Sequence, residues 1–274
     1  LDFIGLFLFI ILMQPVIERG MMEAARARML VQMENKRSSR VILLVQRQET
    51  MNILGLPLFR YISMEDSESV LRAIRLTDPD VPIDLIIHSP GSLTTAAEQI
   101  AAALVRHKAR VTVFVPHYAM AGAALIALAA SELVMNRDAV LGALEPQIEM
   151  YPAASIVSAV ERKSAAEVED KTWMLADKAR KARKQMKQKV LQILSHRMER
   201  EDAERITDAL TSGQWTLDYP LSVDELKQMG VAVSTEMPIE VYRMMNLYPQ
   251  PKELRPSVDY IPAPYFKPDH ANRE

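Results

Sequence analysis

The spacing of apolar and polar positions changes several times along the chain, and each change predicts an element. FIGLFLFIILMQPVI, residues 3–17, is almost purely apolar. The following ERGMMEAARARMLVQMENK consists of helix formers, with Met22, Ala25, Met29 and Met33 three to four residues apart. That spacing predicts an amphipathic helix continuing from the apolar run. SSRVILLVQ reads as a buried strand, and QETMNILGLPLFRYIS as a loop broken by Gly55 and Pro57. In SMEDSESVLRAIRLT, Ser63 and Asp66 stand ahead of the periodic Val70, Leu71 and Ile74, as a capping box would require.

Two strand–turn–helix units follow. PIDLIIH leads through Ser89-Pro90-Gly91-Ser92 into an Ala-rich helix, and ARVTVFV leads through PHYAMAG into a second one. ELVMN predicts a further short strand. Strands alternating with helices predict an α/β fold of parallel βαβ units. Both turns should then open on one sheet edge, where such sheets bind ligands. From Ala153 to Leu210 the pattern is helical and charged. DKARKARKQMKQKV carries seven basic residues behind Asp177, which fits a solvated helix face or, alternatively, a surface for an anionic partner. TSGQWTLDYPLSVDELKQMGVAV is punctuated by Gly and Pro before a short helix and strand. The tail from 249 to 274 is Pro-rich and expected to be extended.

Composition narrows the chemistry. The chain has no cysteine, so disulfides, thiol catalysis and Cys-ligated metal are excluded. Its five histidines lack ligand spacing, so neither a metal nor another cofactor is expected. A formal net charge of −2 gives no argument for nucleic acid. The apolar run lacks a basic leader and an A-x-A-like cleavage site, which disfavours a signal peptide. It is therefore read as a membrane anchor over residues 1–18, with an amphipathic juxtamembrane helix over 19–39. Arg19, Arg26, Arg28, Lys36, Arg37 and Arg40 outnumber Glu23 and Glu34 beyond it, which places the C-terminal side in the cytoplasm. The expectation is a single-pass membrane protein with its main domain, 40–248, on the cytoplasmic side.

The ordered run of HSPGS, YAMAGAALIALAASELVM, AVLGALEPQ, SGQWTLDYPLSVDELKQMGV and MNLYPQP resembles the serine dehydrogenase proteinase (SDH) family of the Clp-protease/crotonase superfamily, related to signal peptide peptidase A. The resemblance implies a Clp/crotonase-like spiral of βαβ units with a helical insertion, acting on a peptide or protein substrate as a homo-oligomer. In the family the second turn reads Y-A-M-S-G-G and its Ser is the nucleophile. Here that position is Ala121, which has no atom to attack a carbonyl. The first turn reads S-P-G-G. By resemblance, the backbone of Gly91, Ser92 and Gly122 would form the oxyanion hole. W-T-H-D-Y-P in the family becomes Trp215-Thr216-Leu217-Asp218-Tyr219-Pro220, so Leu217 replaces a His that would serve as base. A Lys base among relatives leaves Lys163, Lys171 and Lys178 as alternatives. His88, His117 and Tyr118 flank the turns and are expected to line the cleft.

Ser92, Ala121, Ala123 and Leu217 thus depart from the family together. One reading is a membrane-anchored pseudoprotease that serves as a scaffold or peptide-binding partner, with itself or with an active paralogue. The alternative is an active membrane-associated serine endopeptidase of Ser–Lys or Ser–His type, carrying an engineered Ser→Ala change.

Overall fold

The two central strands are buried along their whole length because both faces of their sheet are covered. The computed structural model describes residues 3–46 and 61–248. Helix α1 (Phe3–Arg37) leads into β1 (Arg40–Val45), and α2 (Met64–Arg75) precedes β2 (Ile83–His88). Next come α3 (Thr94–Arg106), β3 (Val111–Val115), the two-residue β4 (Tyr118–Ala119) and α4 (Gly122–Leu128). β5 (Glu132–Met135) and β6 (Val140–Gly142) are followed by a hairpin of β7 (Gln147–Ile148) and β8 (Tyr151–Pro152). Three helices then intervene: α5 (Ala153–Glu161), α6 (Asp170–Leu194) and α7 (Arg200–Thr211). The described chain closes with β9 (Pro220–Ser222), α8 (Val223–Met229), β10 (Val233–Ser234) and α9 (Ile239–Asn246). The Pro-rich tail and most of the loop expected after Arg47 lie outside the described residues.

The main sheet is parallel throughout, in the order β1-β2-β3-β5-β10. The α/β expectation is met. Strand periodicity divides its side chains between two apolar clusters. Ile83, Leu85 and Ile87 of β2 and Val111, Val113 and Val115 of β3 face α3 and α4. Ile86 and Phe114 face the other way, against Met33 of α1 and Val241, Met244 and Met245 of α9. Each such side chain, fully buried, contributes about 1.5–3 kcal/mol. A smaller sheet, β4-β6-β9, stands beside the main one and carries part of the candidate site. The capping box at α2 is present: Ser63 Oγ accepts from Asp66 N at 3.2 Å, and Asp66 Oδ2 accepts from Ser63 N at 2.8 Å.

The membrane expectation is overturned. Among the described residues, no helix is long and apolar enough to cross a membrane. The apolar run of 15 residues would rise only about 22 Å as a helix, short of the ~30 Å hydrocarbon core. It also runs without a break into charged residues of the same helix. The C-terminal part of α1 is a piece of the globular fold. Met33 is fully buried, Arg26 Nε donates to Leu247 O at 2.9 Å, and Lys36 pairs with Glu240 at 2.5 Å. The membrane helix is thereby withdrawn from the fold, and so are the single-pass localisation, the cytoplasmic placement and the membrane as a partner. Both functional readings lose their membrane attachment.

On the α9 side of β2, Asp84 is completely buried yet fully engaged. Its carboxylate accepts from Arg37 Nε, from Arg37 Nη2 at 3.3 Å and from Ser39 Oγ at 2.6 Å. The Arg37 guanidinium also stacks over the Phe114 ring, 4.9 Å from its centroid.

Candidate functional site

The second turn is held in a strained geometry. Ala121 has φ 50° and ψ −126°. A positive φ is rare for a residue with a Cβ, costs of order 1–3 kcal/mol, and persists only where the surroundings impose it. Those surroundings are β4 and the first turn. β4 pairs with β6 through Tyr118↔Val140 and Ala119↔Leu141. Ser89 bridges Ala119, with Met120 N donating to Ser89 O at 3.0 Å and Ser89 N to Tyr118 O at 3.3 Å. Behind the turn, Gly142 lets β6 approach: a Cβ there would lie 2.6 Å from the Ala121 nitrogen.

Helix α4 begins at once, and every residue from Ala123 to Leu128 is buried. A helix apolar on all sides belongs in a core. Gly122 marks its closest approach to α3, since a Cβ there would meet Ala97 Cβ at 2.7 Å and Ser92 Oγ at 2.0 Å. The result is a sharp strand-to-helix elbow of the kind that presents a nucleophile above a sheet.

Around the elbow lies a cavity of about 190 Å³ whose lining includes Ser92, Ala121, Gly122, Glu145, Met186 and Leu217. Ser92, Ala121 and Leu217, three of the positions that the resemblance marks as departures, therefore share one space, although Ala121 and Leu217 stand far apart in sequence. Ala123, the fourth, is buried within α4. Among the described residues, Ser92 Oγ is buried without a hydrogen-bond partner. A hydroxyl needs an adjacent base to become a nucleophile, and none touches it. Of the expected oxyanion donors, Gly91 N–H is turned to Ser89 Oγ at 3.3 Å, while Ser92 and Gly122 line the cavity.

Lys163, Lys171 and Lys178 are exposed and stand outside this lining. His88, His117 and Tyr118 form an aromatic group instead. The His88 ring is buried, 4.2 Å from Tyr118 and 5.4 Å from His117 between centroids, and none of the three lines the cavity. The basic stretch of α6 is partly neutralised at the surface: Lys181 pairs with Asp177, Lys187 with Asp208, and Lys189 with Glu98. This agrees with a solvated face.

Glu145 is the residue that sequence reading overlooked. It is 4 % exposed, and its Oε1 accepts from Ala154 N at 2.7 Å. Its Oε2 is buried with no partner among the described residues. Burial pushes the carboxyl pKa up, against the opposing pull of the Ala154 N–H and the Arg183 charge. The available signal was an acid directly after the apolar run AVLGAL and before Pro146. Ala121, Leu217 and the buried Glu145 carboxyl thus line one cavity.

The profile of the ClpP-like SDH-type serine proteinases matches residues 1–274. The chain belongs to that family. Two uncharacterized proteins of Methanocaldococcus jannaschii are similar to it along most of its length. One is 49 % identical over 265 residues, covering 97 % of this chain and 90 % of the relative. The other is 47 % identical over 259 residues, covering 94 % and 91 %. Among solved structures, a mutant ClpP1 from Listeria monocytogenes is 17 % identical, covering 76 % of this SDH-type chain and 99 % of its own, with a TM-score of 0.45.

Proposed function

We propose that this chain is a non-hydrolysing SDH-type protein that binds extended or unfolded polypeptide at the vacated site. The observation that carries the reading is Ala121: its backbone holds the strained elbow, but its side chain ends at Cβ. Acyl transfer needs an oxygen or sulfur there. Leu217 in the same cavity removes an imidazole as well, and Ser92 adds bulk where the family has Gly. Three changes converging on one space support loss of the whole site over a single engineered replacement. Homo-oligomerisation, or pairing with an active paralogue, belongs to the same proposal. So does kinship with signal peptide peptidase A, whose Lys-type base would have to come from Lys163, Lys171 or Lys178.

The test is peptidase activity on an unfolded protein substrate. The chain itself and Ala121→Ser are expected to be inactive, and Ala121→Ser with Leu217→His to gain measurable turnover. Hydrolysis by the unaltered chain, or robust hydrolysis by the single Ala121→Ser variant, would overturn the reading. Binding is followed by fluorescence anisotropy of a labelled unfolded peptide. Filling the cavity with Leu217→Trp should weaken affinity at least tenfold, and undiminished binding would place the peptide elsewhere.

A further inference from the structure

At the sheet edge opposite the elbow lies a second cavity of about 480 Å³. Its walls are the start of β5 (Ser131, Glu132, Leu133), the residues around β10, Lys227 of α8, and Arg197. Arg197 follows the end of α6 and reaches across to α4, where its Nη1 donates to Leu128 O at 2.8 Å. That contact satisfies the carbonyl of the last residue of the helix whose other end is the Ala121 elbow. It uses one of the five guanidinium donors. The Nε is buried without a partner, and no carboxylate lies within salt-bridge distance of Arg197 among the described residues.

Arg197 is partly buried, and a cation desolvated without an anion carries a cost that pairing would offset. Burial alone lowers its pKa, to about 10, which leaves it charged at neutral pH. The surrounding groups fit an incoming anion. Lys227, in the last turn of α8, supplies a second, exposed cation. Ser131 Oγ accepts from Val111 N at 3.2 Å, and Ser234 Oγ accepts from Glu236 N at 3.2 Å. Each hydroxyl therefore keeps its own proton to donate. The acid in the lining, Glu132, is itself held by Arg110 at 3.5 Å and by Thr112 Oγ1 at 3.3 Å.

We infer that this cavity is a binding site for the phosphate group of a small molecule, held by the Arg197 guanidinium and the Lys227 ammonium, with Ser131 and Ser234 as hydroxyl donors. Two cations and hydroxyl donors suit a dianionic tetrahedral oxyanion, and a guanidinium fork binds it in bidentate fashion. Ser131, Lys227, Gly230 and Ala232 of its lining are exposed, so the body of a phosphorylated metabolite can extend from the site into solvent. The inference does not depend on the peptide-binding reading, since it concerns the opposite edge of the sheet.

The test uses the full chain and inorganic phosphate, followed by calorimetry and by thermal unfolding at matched ionic strength in chloride. Saturable binding is expected, with a higher unfolding temperature in phosphate than in chloride. Arg197→Met should weaken binding at least tenfold. Arg197 also caps α4, so Lys227→Met, a surface change, is the second variant and should weaken binding several-fold in a folded protein. Acetate, a monoanion, should bind at least tenfold more weakly. The inference is overturned by equal unfolding temperatures in phosphate and chloride, by phosphate binding that Lys227→Met leaves unchanged, or by acetate binding as well as phosphate.

Discussion

Strand β2 has buried polar groups at both ends, and the two ends are treated in opposite ways. Near its start, Asp84 is buried with Arg37 and Ser39 satisfying its oxygens. Beyond its end, Ser92 Oγ is buried without a partner, and across the same cavity so is one oxygen of Glu145. Both regions are close to the core, so burial alone does not distinguish them. The distinction is completeness. A satisfied network holds α1 to the sheet and is structural. Unsatisfied groups around a strained backbone carry a cost that packing does not explain, and such costs cluster at functional sites.

The sharpest way to break this comparison is at Asp84. Asp84→Ala leaves the Arg37 guanidinium without its carboxylate and Ser39 without its acceptor. Removing one partner of a buried ion pair costs about 3–5 kcal/mol. The expected result is a loss of that size in denaturant-derived stability. A change below about 1 kcal/mol would mean that the pair behaves like a surface salt bridge and that the two ends of β2 are not different in kind.

The same contrast explains what could be read from the sequence. The α2 capping box, the two strand–turn–helix units and the elbow position are set by residues close together in the chain, and each was visible. The role of α1 was not. Its C-terminal part packs against α9, some 200 residues away, where Met33 is buried in one cluster with Val241 and Met244. Without those contacts, a 15-residue apolar run followed by basic residues resembles an anchor. Glu145 was invisible for a similar reason. An acid before proline reads as loop, and only the Ala154 N–H from the start of α5 and the fold of β6 bring it into the cavity. Leu217 was found by resemblance, and its position beside Ala121 comes from tertiary structure alone.

A smaller effect sharpens the comparison from the Glu145 side. Burial raises its pKa above the ordinary 4.5, so the fold favours the protonated acid. That preference is fully present below the ordinary value and is lost as pH rises through the folded one. Glu145→Gln is neutral at every pH and escapes the loss. Relative to the unaltered chain, the variant should therefore gain stability between pH 4 and pH 8 in denaturant titrations. A stability difference that stays constant across that range would mean that the carboxyl has found a partner after all.

The smallest effect compares two serines. Ser39 Oγ donates to a buried carboxylate at 2.6 Å, and a hydrogen bond to a charged group contributes about 1.5–3 kcal/mol. Ser39→Ala should cost about that much. Ser92 Oγ makes no such bond and carries a desolvation penalty with nothing to offset it. Ser92→Ala should therefore lie within about 1 kcal/mol of neutral, on the stabilising side. Equal losses at both serines would mean that Ser92 is bonded in solution, and that the cavity beside Ala121 holds an ordered partner for it. The vacated site would then be a polar pocket in use, and Ser92 would be one of its ligand-binding groups.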